Sequence, residues 1–493
     1  MLNKKIKAII FLLAFLWLII IPAIDICAAQ GETFKLTVIH INDTHGRTEA
    51  EPYISTLAKD LKAKGENVLL LDAGDRLHGQ ITTNLSRGES VVKIMNEVGY
   101  SAMVPGNHDF NFGIERLKEL SDLMNFPLLS ANVLDINSSN LFPPYTIFDF
   151  DGTYIGVFGI ATPEILEKSD PRIVSGLIFD NPTRTARAMV AELQTQGCDL
   201  IIALAYMGLD SIPDINTFGI DVIIDGHMTK DDSLVAQTGF YGQHIGIVEI
   251  ELSDGNVSKI ARTVSVPKEN EVAELLPDKN IIAKIAEEEA KVEPITSVVV
   301  GKTPILLNGE KDQVRTKETN LTNLITDSMC WATGAYMSFI DGGNIRASIE
   351  AGDITMGQIL AALPFSSSIV TIELRGADLL EALEYGVCSY PNPVGQFIQV
   401  SGINFEFDPT AKPMRRGTKV AMANGETFDI NKIYTVATID FLAGGGDGYA
   451  MILKGSNVVY FQSNAEALAQ YLATDPEIKE EPENRIKAID SKR

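Results

Sequence analysis

The chain has 493 residues, 45% hydrophobic and 22% charged, and a formal net charge of −24. That length exceeds one ordinary core and implies two domains plus a processed segment, while the composition is that of a globular protein. So acidic a surface excludes a nucleic-acid polymer as partner, because its phosphate backbone would be repelled.

Lys4, Lys5 and Lys7 precede an apolar run over 8–24, and the small residues Cys27, Ala28 and Ala29 follow. This pattern reads as a secretory signal over 1–29, cut after Ala29, with the mature protein exported to the extracellular space, cell surface or periplasm. An uncleaved anchor is the alternative, since the run nearly spans a thin bilayer. A lipoprotein reading at Cys27 is weaker, because Ile26 is bulky. No other run is apolar enough to span a membrane.

Strands are then expected at 35–41, 68–72, 102–104, 155–160, 200–205 and 222–224. Helices are expected at 52–64, 89–98, 114–124 and 183–195. Their alternation implies a largely parallel, layered α/β domain over 32–266, with 240–252 as antiparallel strands closing its sheet. A polar linker with an Ala/Glu/Lys-rich helix at 281–291 covers 267–294. A second domain, 295–493, opens with a helix near 320–329. Cys198, Cys330 and Cys388 do not make a disulfide framework and are read as separate thiols, a bridge between the last two being the alternative.

The informative residues lie where strands end: Asn42-Asp43-Thr44-His45, Gly74-Asp75, Gly106-Asn107-His108-Asp109 and Asp225-Gly226-His227. Singly, Asp-x-His and Gly-Asp are ordinary turn signals. Four such loops in order, each after a strand, form a different pattern, because loops at strand carboxyl ends converge on one crevice. Mixed carboxylate, amide and imidazole donors suit Mn, Fe, Co or Zn, and a central Asp can bridge two ions.

These motifs resemble the calcineurin-like metallophosphoesterases and, more closely, the 5′-nucleotidase and UDP-sugar hydrolase family. The second half strengthens the resemblance through the segment from Arg315 to Ile325, Asp341-Gly-Gly-Asn-Ile-Arg346, Leu363-Pro-Phe365, the segment from Gly395 to Gly402, and the segment from Phe441 to Tyr449. The resemblance implies a four-layer αββα metallophosphoesterase domain followed by an α/β nucleotide-binding domain. It also implies two divalent ions (Mn, Zn, Co or Fe). Asp43, His45, Asp75, Asn107 and His227 would be the ligands, with Asp75 bridging and His108 unligated beside the transferred phosphate. Phe397 and Phe441 would stack the base, Asp447 would hold the ribose hydroxyls, and Arg346 would face phosphate. The implied activity is hydrolysis of nucleoside 5′-phosphates, UDP-sugars or 2′,3′-cyclic nucleotides.

Three positions depart from the family pattern. Tyr206 stands where the family has a metal-binding His, Thr229 where it has His or Gln, and Asn111 where it usually has Asp. Each ion is then one protein ligand short, which implies reduced metal affinity with one ion firmly held. The alternative this raises is a nucleotide binder with little or no turnover. His78 and His244 are the remaining nearby imidazoles.

Overall fold

The computed structural model describes residues 33–168, 174–207, 219–226, 235–236, 238–239, 241–253, 255–267, 275–365 and 367–489. The signal segment, Gly208, His227 and Thr229 lie outside the described residues.

The first half runs β1 (Phe34–Ile41), α1 (Glu51–Ala63), β2 (Asn67–Asp72), α2 (Glu89–Val98), β3 (Ala102–Met103), α3 (Ile114–Leu123), β4 (Tyr145–Phe150), β5 (Thr153–Ala161), α4 (Pro182–Thr195), β6 (Leu200–Tyr206), β7 (Val222–Gly226), β8 (Val235–Ala236), β9 (His244–Ser253) and β10 (Asn256–Ser265). These strands form two sheets, ordered β10-β9-β1-β2-β3 and β8-β7-β6-β5-β4. The central pairings β1–β2, β5–β6 and β6–β7 are parallel, while β9 runs antiparallel to β1.

Alternation along the strands dictates the layering, because successive side chains point to opposite faces. Leu36 and Val38 of β1 join Leu69 and Leu71 of β2 in one core with Ile155, Val157, Leu200, Ile202 and Leu204 from the second sheet. Ile39 and Ile41 face the other way, into a core shared with α1, α2 and α3. In β6, Ile201, Ala203 and Ala205 turn toward Ala186, Val190 and Leu193 of α4. The result is helix, sheet, sheet, helix. Tyr206 continues the even-numbered series of β6 and so lies on the inner face between the sheets. The strands β4 and β10, each the edge of a hairpin, carry too little periodic signal to be read beforehand.

Helix α5 (Lys279–Thr296) is longer than expected and contains Pro294. Asp278 caps it by accepting from the backbone N–H of Asn280, and also accepts from Ser55 of α1 at 2.7 Å. Ile281 is buried in the first-half core. In the second half, α6 (Asn320–Thr333) starts with a Thr319–Thr322 capping box and ends at Gly334, whose φ of 72° supplies the left-handed cap. The sheet beside it orders β13 (Ile398–Ser401), β11 (Met337–Asp341), β14 (Ile433–Ile439), β12 (Ser368–Arg375) and β15 (Ser456–Ser463). Cys198, Cys330 and Cys388 are free thiols. Among the described residues no helix is long and apolar enough to cross a membrane.

A buried charge network lies inside the first half. Arg76 is fully buried, donating to Glu51 and, at 2.9 Å, to the Thr44 hydroxyl, with its Nε 3.7 Å from Asp72. Burial alone would lower its pKa, but Glu51, Tyr100 and Asp72 more than offset this and Arg76 stays charged. Removing one partner of a buried pair leaves the other charge uncompensated. Glu51→Ala is therefore expected to destabilise the protein by roughly 3–5 kcal/mol, read from the denaturant midpoint.

Candidate metal centre and cleft

The strand-end loops are laced by their own backbones. Asp43 N–H donates to Gly74 C=O and His45 N–H to Asp75 C=O, both at 2.9 Å. Asp43, His45 and Asp75 all have left-handed φ, at 50°, 49° and 56°. Non-glycine residues hold that region only where surrounding contacts enforce it. The contacts here include Asp109, whose buried carboxylate accepts from the N–H groups of Asp75, Arg76, Leu77 and Gly106 at 2.6–2.9 Å. Asp75 Oδ1 accepts from His108 N–H at 2.8 Å. The glycines before the ligands are steric requirements. A Cβ on Gly74 would sit 2.7 Å from the Tyr206 ring, and one on Gly106 would sit 2.2 Å from Asp75 Oδ1.

Into this nest projects Tyr206. Its hydroxyl lies 2.6 Å from Asp75 Oδ2, 3.1 Å from Asp43 Oδ1 and 3.2 Å from Asn107 Oδ1. Burial, and then Asp75 and Asp43, push its pKa well above the ordinary value, so it is a neutral phenol. Burial, then Asp109 and Asp43, likewise push the Asp75 carboxyl up. One hydroxyl hydrogen thus stands among three acceptor oxygens, two of them carboxylate. Such a cluster favours a cation, and its hard oxygen donors beside the His45 imidazole fit a divalent first-row ion. His45, Asp75 and His108 bring ligand atoms within 4.8 Å of one another.

His108 stands at the rim. The Asn111 amide lies 3.1 Å from its Nδ1. With the Asn111 Nδ2 donating to it, Nδ1 is the acceptor and the imidazole proton is on Nε2.

A cleft of about 190 Å³ opens here, lined by His45, His78 and His108 from the first half and by Arg346, Pro364 and Phe365 from the second. Arg47 and Tyr241 also line it, the guanidinium 4.9 Å from the ring centroid. Burial holds His78 neutral, lowering its pKa to about 3. His244 lies on β9 near Ser265 and does not line the cleft.

The other expected site residues lie apart. Phe441 is half-buried, and Asp447, with φ 51°, accepts through its backbone C=O from the Tyr385 hydroxyl at 3.1 Å. Burial and then Asp447 raise the neighbouring Asp341 carboxyl to about 7. Phe397 is instead a core residue, 1% exposed, with no ring face open to a base in this structure. It leads directly into β13, a strand buried on both faces.

Sequence reasoning assigned no role to Asp109, Arg76, Tyr241 or Phe365. Asp109 and Phe365 lay inside motifs already singled out. A charged Arg76 beside a ligand loop gave no sign of its burial, and nothing near Tyr241 marked it.

Residues 36–231 match the family described as Calcineurin-like phosphoesterase, and 299–454 match that described as 5′-nucleotidase, C-terminal domain. The human 5′-nucleotidase is 30% identical over 497 residues, covering 85% of this chain and 84% of that protein. The chain belongs to the 5′-nucleotidase family of calcineurin-like phosphoesterases. The family comprises metal-dependent hydrolases of phosphoric esters, and this member is such an enzyme. The trifunctional nucleotide phosphoesterase protein YfkN of Bacillus subtilis is 31% identical over 481 residues, which cover 86% of this chain and 33% of that longer protein. The crystal structure of a 5′-nucleotidase precursor from Thermus thermophilus superposes with a TM-score of 0.76 at 28% identity, covering 92% of this chain and 99% of that one. The four-layer first domain and the α/β second domain are thus those of this family.

Asp109→Ala tests the lacing of the loops. Losing the acceptor for four N–H groups should cost about 2 kcal/mol or more of stability, read from the melting temperature. The variant should also retain about tenfold less metal or worse after dialysis, measured by mass spectrometry.

Proposed function

We propose that the protein hydrolyses nucleoside 5′-phosphates and related nucleotides, including UDP-sugars and 2′,3′-cyclic nucleotides. The observation that carries this reading is the cleft, which has His45 and His108 on one wall and Arg346 on the other. A phosphate ester between them would meet the metal-ligand loops and a guanidinium at once.

Asp43, His45, Asp75 and Asn107 are the residues that would hold divalent ions, with Asp75 between two sites and His227 as a further ligand. When bound, such ions supply a hydroxide at neutral pH and positive charge for the phosphoryl oxygens. Manganese, zinc, cobalt and iron all suit these donors. We assign His108 as the catalytic residue: its Nε2–H would donate to a phosphoryl oxygen as negative charge builds. Arg346 would pair with the phosphate. Phe441 would offer its half-exposed ring to the base and Asp447 its carboxylate to the ribose hydroxyls. Of the two expected stacking rings, Phe441 is the one this assignment retains.

Tyr206 offers a phenol where the family has imidazole, and we expect one ion to be held firmly and a second weakly. The segments 1–29, 32–266, 267–294 and 295–493 are assigned as signal, metallophosphoesterase domain, linker and nucleotide-binding domain. The lysine-flanked apolar segment supports export.

Release of phosphate from AMP and UMP, of UMP and glucose 1-phosphate from UDP-glucose, and of adenosine monophosphate from 2′,3′-cyclic AMP, each with added Mn²⁺, tests the activity, and turnover of at least one is expected. Silence with all four, while AMP still binds, would sink the proposal. Tyr206→His is expected to raise the retained metal from about one equivalent toward two, a shift of at least tenfold in affinity for the weaker ion. Two equivalents already retained by the unaltered protein would show the one-ion expectation wrong.

A further inference from the structure

His78, His108 and Phe365 form three near-parallel rings. The centroids of His78 and Phe365 are 5.2 Å apart with planes at 10°, those of His78 and His108 6.0 Å apart at 12°, and those of His108 and Phe365 6.0 Å apart at 22°. Two of the rings come from the first domain and one from the second. The Arg346 guanidinium lies over Phe365, 5.5 Å from its centroid.

The backbone beside these rings is tied as well. Asn84 Oδ1 accepts from Gly79 N–H at 2.8 Å, and its Nδ2 donates to Pro364 C=O at 2.9 Å. Gly79 follows His78 and Pro364 precedes Phe365. One side-chain amide thus clamps together the segments that carry His78 and Phe365.

The torsion that sets a histidine ring plane is broad, so the ring needs outside contacts to hold one orientation. The Asn111 contact at Nδ1 fixes a point on the His108 ring, and the edge of His45, at 5.1 Å and 71°, bounds it on another side. The near-parallel rings of His78 and Phe365 restrict what rotation remains.

We infer that Phe365 and His78 are positioning residues for His108, so that the ring serving the phosphate takes its working orientation only when the second domain is seated on the first. This inference rests on His108 serving the phosphate, as proposed above. It gives the second domain a part in the chemistry as well as in nucleotide recognition. Phe365 acts through His78 and His108, and need not touch the nucleotide.

The histidine ring C–H resonances of the full protein test the stack directly. Phe365→Leu, by loss of the aromatic neighbour, and Asn84→Ala, by loss of the clamp that holds the rings together, should each shift the His78 and His108 lines and leave buried His40 unmoved as an internal control for folding. Phe365→Tyr, which keeps the ring, should restore both lines. Turnover is then measured with AMP and with p-nitrophenyl phosphate, which has no nucleoside. Phe365→Leu should lower kcat roughly tenfold on both substrates, since a misplaced catalytic group costs rate whatever the leaving group. Unmoved histidine lines in both Leu and Ala variants would overturn the inference. So would a Phe365→Leu enzyme that loses AMP affinity but keeps its kcat on p-nitrophenyl phosphate, since Phe365 would then be a nucleotide contact. Absence of turnover by the unaltered protein on every substrate would instead defeat the proposed hydrolysis, and with it the role given to His108, whereas the histidine lines would still report the stack.

Discussion

A single carboxylate joins two of the loops on which the centre is built. Asp109 takes two N–H groups on each oxygen, Arg76 and Leu77 on Oδ1 and Asp75 and Gly106 on Oδ2. Its burial raises the carboxyl to about 6, against the pull of those four bonds in the opposite direction. Much else follows from this anchor. Asp75 is held in a left-handed turn that aims one oxygen at His108 N–H and the other at Tyr206. Arg76, next in sequence, is turned inward to Glu51 rather than outward to water.

The centre that results is crowded with oxygen. Asp43, Asp75 and Asn107 converge on the Tyr206 hydroxyl, with Asp109 directly behind, and the nearest buried guanidinium, Arg76, is engaged with Glu51 and Thr44. In an aqueous loop such a cluster would be screened, but here Asp75 and Tyr206 are each about 1% exposed. Charge that would be tolerable at the surface therefore becomes a demand for a cation. The phenol meets part of that demand with one hydrogen.

Much of this was legible in the residues. The strand-end positions of Asp43, Asp75 and Asn107 follow from short apolar runs broken by Gly and Asn, and periodicity two places Tyr206 between the sheets. That its hydroxyl would reach three loops at once was not legible, because the sequence separations are 99, 131 and 163 residues. Phe397 was readable as an aromatic in a conspicuous motif, but an aromatic beside a buried strand packs inward as readily as it stacks a ligand. The partnership of His78 with Phe365 spans more than half of the described chain, and no local pattern announces such a pair. Helix α5 runs past its expected end at Lys291 and takes in Pro294.

The position of β1 in its sheet also governs how the protein can form. It is hydrogen-bonded on one side to β2, a few dozen residues later, and on the other to β9, where Phe34 pairs with Leu252. During synthesis, the strand that carries Asp43 therefore has one open edge until more than 200 further residues have been made. Pairings of such sequence separation are slow to close and leave strand edges exposed meanwhile. The bonds that lace the metal-ligand loops all lie within residues 43–109 and need only β1 to β3, whereas Tyr206 and the strand that closes the sheet behind them arrive much later. Completion of the sheet beneath the centre is thus a late event, timed by the arrival of a strand that contributes none of the assigned ligands.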